Sequence, residues 1–228
     1  MTGQPPDGRH GPHVLVLSVD SPEVGADDRH HLDRVLRLRP GDPLTVGDGA
    51  GRWRPCRWGD AVEPTGEAVR VAPPEPRLGV AFALIKGGRP ELVVQKLVEL
   101  GIDDIRPFAA DRSVVRWDEA KAAKNHERLA RVAREAVMQS RRAWLPTVHP
   151  VVTLGDIASL PGVARADLGG EPLSAVTTTI VVGPEGGWTE AERSIELPTV
   201  SLSDAVLRAE TASIAAATLL AAQRRLAT

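Results

Sequence analysis

Apolar positions along this chain follow two regimes. Up to about residue 72 they come in short runs broken by turn residues. Residues 13–19 (His-Val-Leu-Val-Leu-Ser-Val) predict a strand, and His30 to Leu38 sets Leu32, Val35 and Leu36 at helical spacing. Pro40-Gly41-Asp42 reads as a turn and Leu44-Thr45-Val46 as a strand. Gly47-Asp48-Gly49-Ala50-Gly51 is a hairpin-type turn, with further strands over 52–58 and 68–71. Short strands separated by turns predict a small β-barrel for residues 1–72. Pro73-Pro74-Glu75-Pro76 then favours a stiff, extended connection, so a linker is placed at 73–77.

From residue 78 onward strands and helices alternate. Val80 to Ile85 is a continuous apolar run, the pattern of a strand covered on both faces. Pro90 suits a helix's first turn; Val93, Leu97 and Leu100 form its apolar stripe, Leu92, Lys96 and Glu99 a mixed face, and Gly101 its stop. Residues 102–109 supply the next strand. Residues 122–142 predict a long helix with Leu129, Val132, Ala133, Ala136 and Val137 on its buried face. Residues 177–182 and 199–202 read as strands. Thr189 with Glu192 forms a capping box, and residues 209–226 a last helix. Alternation of this kind predicts an α/β domain with a largely parallel sheet over 78–228.

Composition narrows the function. Hydrophobic residues make up 42% of the 228, but aromatics only 3%, with no Tyr. The core must be aliphatic, and tyrosines cannot stack on bases. One cysteine, Cys56, excludes an internal disulfide framework and reads as a small core residue. The polar start lacks a signal-peptide core, no run approaches a membrane span, and a cytoplasmic protein is expected. A net charge of −2 argues against a non-specific nucleic-acid coat. The charge is uneven, with nine Lys and Arg against four Asp and Glu between Arg112 and Arg142. By itself that stretch reads more readily as a solvated helix face. The six histidines are scattered and Cys56 has no partner, so no metal is expected.

Three loops, each after a predicted buried strand, carry candidate chemistry. In Val182-Gly183-Pro184-Glu185-Gly186-Gly187 the glycines let a ligand approach the backbone without a Cβ in the way. The run lacks the Lys-Ser/Thr of a phosphate loop and the spacing of a dinucleotide site, and Glu185 repels phosphate. A neutral or cationic ligand fits better, such as S-adenosylmethionine with its sulfonium; a tight turn with no ligand is the bland alternative. Around Leu202, Ser203, Val206, Leu207 and Arg208, a second loop enters the last helix and offers apolar contact to an adenine ring. With the first loop it is expected to form two walls of one pocket. Lys86-Gly87-Gly88-Arg89 suggests anion contact, or else exposed charges on a turn.

The order of these motifs is more specific than any one of them. Lys86-Gly-Gly-Arg89, Gln95-Lys96 with Glu99-Leu100-Gly101, Glu135-Ala136 with Gln139-Ser140 and Arg142, the Gly183 loop, and Leu207-Arg-Ala-Glu-Thr-Ala212 occur in sequence. Together they resemble the RsmE family of ribosomal RNA small-subunit methyltransferases. His31-Leu32, Val35-Leu36-Arg37, Gly41 and Asp48-Gly49-Ala50-Gly51 resemble that family's PUA-like barrel, so the likeness spans nearly the whole chain.

The resemblance implies a SPOUT-type α/β domain with a C-terminal trefoil knot and a homodimer with its cofactor pocket at the interface. It implies methyl transfer from S-adenosylmethionine to N3 of a uridine in small-subunit (16S) ribosomal RNA. Carried over by position, Val182, Gly183, Glu185, Gly186, Gly187, Leu202, Ser203, Val206, Leu207 and Arg208 would hold the cofactor. Arg34, Arg37, Lys86, Arg89, Gln139 and Ser140 would hold RNA, and Arg142 would act in catalysis. The chain departs from the family at Ser203, where Gly is usual, at Ala205, where a basic residue is usual, and at Met138, where a polar or acidic one is common. The near-zero net charge points to a structured target, the assembled subunit. The rival readings are a related enzyme acting on transfer RNA or a ribose hydroxyl, and a non-catalytic RNA-binding assembly factor.

Overall fold

The computed structural model describes residues 3–227, which divide into two compact units. The first comprises residues 3–73 together with Arg134–Leu145; the second comprises Pro74–Ala133 and residues 146–227.

In the first unit β1 (His13–Leu15) is followed by α1 (Ala26–His30) and a π-helical turn at His31–Val35. Then come β2 (Pro43–Gly47), β3 (Arg52–Arg57), β4 (Glu63–Pro64) and β5 (Val69–Arg70). The five strands form one sheet: β1 runs parallel to β2, and β3 pairs antiparallel with β2, β4 and β5. The hairpin joining β2 to β3 turns where the glycines predicted it. Gly49 and Gly51 have φ of +67° and +93°, which only glycine adopts at little cost. A Cβ on Gly51 would also stand 2.5 Å from the Trp144 ring.

Leu44, Val46, Cys56 and Trp58 build the core of this unit with Val14, Val16, Val19 and Leu32. Burial pushes the Cys56 thiol up to about 11, as its small-hydrophobe role requires. Two expectations fail here. Only residues 13–15 of the predicted 13–19 are strand, and Leu17 is fully exposed. The helical face of Leu32, Val35 and Leu36 is also lost. The Leu36 N–H donates five residues back to the His31 carbonyl (3.0 Å), and this wider winding buries Leu32 but leaves Val35 and Leu36 exposed.

The second unit holds β6 (Gly79–Ala83), α2 (Arg89–Glu99), β7 (Asp104–Phe108) and most of α3 (Glu119–Ser140). It continues with β8 (Thr147–Val148), α4 (Leu154–Ala158), β9 (Val163–Glu171), β10 (Thr179–Val182), α5 (Glu190–Arg193), β11 (Thr199–Val200) and α6 (Ala209–Ala227). The six strands lie in the order β11-β9-β10-β6-β7-β8, and every neighbouring pair is parallel. This is the parallel sheet that strand–helix alternation predicted, although β8, α4 and β9 carried no sequence signal. All five residues of β6 and all four of β10 are buried, as strands covered on both faces require.

Val93 and Leu97 of α2 are fully buried with Val94 and Val98, while Leu100 is only partly covered. Each such aliphatic contributes roughly 1.5–3 kcal/mol. Gly101 ends α2 at φ +89°. In α3, Leu129, Ala133, Ala136 and Val137 are buried as predicted and Val132 is partly covered. On α6 the buried face is built from Ala212, Ser213, Ala216, Ala217 and Leu220. Behind the sheet, Asp103 is 2% exposed; it accepts from the Leu78 N–H at 3.0 Å and from Arg224 Nη1 at 2.6 Å. No helix among the described residues is long and apolar enough to cross a membrane.

Candidate functional site

Because all six strands of the second unit are parallel, the loops that follow them gather along one edge of the sheet. At that edge lies a cavity of about 210 Å³. Its first wall is the loop after β10. The chain leaves buried Val182, and Pro184–Gly187 make a turn closed by the Gly187 N–H donating to the Pro184 carbonyl at 2.9 Å, with Gly187 at φ +71°. Thr189 and Glu192 then start α5 with the predicted reciprocal capping bonds. Glu192 is itself buried and also accepts from the Asp111 N–H at 2.9 Å, which ties the loop after β7 to this helix start.

The second wall is the loop after β11. Leu202, Ser203, Ala205, Val206 and Leu207 face the cavity, and the Ser203 hydroxyl accepts from the Ala205 N–H at 3.1 Å. Val206 is 84% exposed, an apolar side chain held open beside the cavity. The two strands carrying these loops are not neighbours, because β9 lies between them. The middle of β9 supplies a third wall, Ala166–Leu168, where the Asp167 carboxylate pairs with Arg193.

Trp188 supports the floor. It is 5% exposed, stacks on Phe108 (centroids 6.1 Å apart, planes within 10°) and donates Nε1–H to the Ala166 carbonyl at 3.2 Å. Its ring lies so close to Gly183 that a Cβ there would stand 2.7 Å from it. Gly183 is therefore needed for close packing, a reason distinct from backbone access to a ligand.

Of the residues expected to hold cofactor, Val182, Gly183, Glu185, Gly187, Leu202, Ser203, Val206 and Leu207 line the cavity. Gly186 and Arg208 are not among the lining residues. The Gly186 carbonyl instead accepts from Arg112 Nη1 at 3.2 Å, and Arg208 is exposed beside the start of α6. Sequence reasoning missed Asp167, Arg193 and the structural part of Trp188. Residues 163–171 alternate small, charged and glycine residues, so β9 showed neither an apolar run nor a period.

The anion-contact candidates sit on the loop after β6, whose strand pairs directly with β10. Arg89 reaches across to Glu185 at 2.8 Å and lies 3.6 Å from Glu210. Lys86 lines a second cavity in the same unit. Arg34, Arg37, Gln139, Ser140 and Arg142 belong to the first unit. There Arg34, Arg37 and Gln139 are exposed, and the Ser140 hydroxyl donates to the Ala136 carbonyl at 2.6 Å.

Known proteins resemble the chain across both units. Residues 73–221 match the family model of an RNA methyltransferase domain, and residues 24–57 that of an RNA methyltransferase PUA domain. A ribosomal RNA small subunit methyltransferase E of Mycobacterium bovis is 32% identical, covering 89% of each chain. The Bacillus subtilis protein of that name is 31% identical, over 89% of this chain and 90% of its own. Among solved structures, a ribosomal RNA small subunit methyltransferase E from Neisseria gonorrhoeae bound to S-adenosyl methionine superposes with a TM-score of 0.77 at 26% identity. That likeness covers 95% of this chain and 98% of the other.

Proposed function

The chain belongs to the ribosomal RNA small subunit methyltransferase E family, and from that premise we propose that it transfers a methyl group from S-adenosylmethionine to N3 of a uridine in 16S ribosomal RNA. The observation that carries the reading is the three-walled cavity at the strand ends. Leu202, Val206, Leu207 and Val182 suit an adenine ring, and the backbone of residues 183–187 suits the polar remainder. Glu185 and Asp167 are each paired with an arginine, Arg89 and Arg193, so the fit rests on the apolar walls and the loop backbone rather than on net charge.

The finer architecture follows as part of the same proposal. Residues 78–228 form a SPOUT-type domain with a trefoil knot, residues 1–72 a PUA-like RNA-binding barrel, and 73–77 the linker. The enzyme works as a cytoplasmic homodimer on the assembled small subunit. Arg34, Arg37, Lys86, Arg89, Gln139 and Ser140 hold RNA, mostly through phosphates, which position the substrate without specifying sequence. The target base leaves its stack to reach the site.

Bound S-adenosylmethionine supplies a methyl group on a good leaving group. The protein's work is to hold the uridine in line with that methyl, which by itself accounts for much of the rate. N3 carries a proton at neutral pH and must lose it before or during attack. Arg142 stabilises the anion that develops on the ring. Nucleoside mass spectrometry of small subunits treated with protein and cofactor should find 3-methyluridine. Arg142→Ala should lower kcat by about 10²–10³-fold, the range for loss of one preorganised charge-stabilising group. A methyl group found on ribose instead, or full turnover by the variant with normal RNA binding, would overturn the assignment.

A further inference from the structure

Arg89 meets carboxylates from two walls of the cofactor cleft. Its Nη1 donates to Glu185 Oε1 at 2.8 Å, on the loop after β10, and its Nε lies 3.6 Å from Glu210 Oε1, in the first turn of α6. Glu185 lines the cleft, and so do Leu207, Ala209 and Ala212 around Glu210. Arg89 and Glu210 are not among the lining residues, so they can act on a bound cofactor only through these neighbours.

Burial decides which half of this bridge matters. The Arg89 and Glu185 side chains are 40% and 51% exposed, and an ion pair so open to water contributes little by itself. Glu210 differs. Its side chain is 15% exposed, and its Oε2 is sealed from solvent with no hydrogen-bond partner among the described residues. Taking the cation from beside such a carboxylate is costly, because water cannot replace it.

The neighbouring contacts leave this one junction to Arg89. Helices α2 and α6 pack against each other. At their far ends Arg224 Nη2 donates to the Gly101 carbonyl at 2.8 Å, and at their starts Arg89 meets Glu210. The turn at 184–187 is also held by Arg112, whose Nη1 donates to the Gly186 carbonyl at 3.2 Å. That bond ties the turn to the loop after β7 and does not reach α6. Arg89 joins the turn to α6.

We propose that Arg89 is a positioning residue for the cofactor cleft, strapping the loop after β10 to the start of α6 through Glu185 and Glu210 before any RNA is bound. The proposal rests on the S-adenosylmethionine reading of the cleft and adds to it a part for Arg89 that is independent of phosphate contact. Without the guanidinium, two carboxylates that now share it would face each other uncompensated, and the two walls would part. Lysine cannot stand in fully, because its ammonium is a point charge without the guanidinium fork that serves two partners at once.

The test is calorimetric titration of the full-length protein with S-adenosylmethionine in the absence of RNA. Arg89→Ala should weaken cofactor binding by about five- to tenfold, the scale of one charge-assisted bond discounted for exposure. Arg89→Lys should fall between the two, and keeps the question open to measurement if the alanine variant does not fold. Adding Glu210→Gln to either variant should recover at least about threefold, since a neutral amide needs no cation. The same addition to Arg112→Ala should recover nothing, and a merely structural role for Arg89 would not produce this selective rescue. Cofactor affinity within about twofold of the unaltered protein in both Arg89 variants, a loss that Glu210→Gln does not relieve, or an effect confined to RNA binding would overturn the strap. Failure of the unaltered protein to bind S-adenosylmethionine would instead sink the underlying reading of the cleft.

Discussion

Gly183→Ala tests why glycine stands at the end of β10. The added Cβ would lie 2.7, 2.8 and 3.2 Å from Cε2, Cζ2 and Cδ2 of Trp188. Ordinary carbon contacts are about 3.5–4.0 Å, so the indole must retreat by roughly 0.8 Å. It has little room to do so. The ring is 5% exposed, stacked on Phe108, and bonded through Nε1 to the Ala166 carbonyl at 3.2 Å. Overpacking of this kind costs about 1–3 kcal/mol, and a weakened hydrogen bond about 0.5–1.5 kcal/mol more. The expected loss is about 2–4 kcal/mol in urea denaturation. S-adenosylmethionine affinity should fall at least about tenfold, since Trp188 and the loop both line the cleft. The Gly183 backbone is not in the left-handed region, so alanine meets no strain there and the effect is steric. Placed in a Trp188→Leu background, the same substitution should therefore cost much less. Equal losses in both backgrounds, or a Gly183→Ala protein within about 0.5 kcal/mol of the unaltered one, would refute the packing argument.

Two further outcomes follow from buried polar groups. Asp103→Ala removes the acceptor of the Leu78 N–H and the carboxylate beside Arg224, which keeps the Pro76 and Gly101 carbonyls, and should cost about 1–3 kcal/mol in denaturant; under about 0.5 kcal/mol would show that the pair is not structural. His13 is held down to about 4 by burial and by the nearby Arg141 charge, against 6.5 when unfolded. Below 6.5 the unfolded chain takes up a proton that the folded one refuses, so the stabilisation is complete above that pH and is lost as pH falls toward about 4. The shift corresponds to about 3 kcal/mol, and His13→Gln should flatten the stability profile over that window. An unchanged slope would assign the pH dependence elsewhere.

Much of this protein was readable from its residues because local rules and tertiary structure agreed. The runs predicted at 80–85 and 177–182 contain the strands Gly79–Ala83 and Thr179–Val182, both buried throughout. Thr189 with Glu192 caps a helix by bonds within four residues, and Gly49, Gly51, Gly101 and Gly187 sit where a positive φ is needed. The loops at 183–187 and 202–208 stood out because each follows a predicted strand, and residues of both line the cavity.

Other features depended on groups distant in sequence. Strand β9 has mixed polarity because it runs out to the edge of the cleft, where Asp167 is neutralised by Arg193. Its insertion between β10 and β11 decides the width of the cleft, and strand order leaves no trace in local periodicity. The π-helical turn moved Val35 and Leu36 off the core although their spacing was helical. Spacing along the chain determined which loops carry chemistry, while the parallel sheet decided which of them share a cavity, because only packing brings residues about a hundred positions apart, such as Arg89 and Glu185, within hydrogen-bond reach.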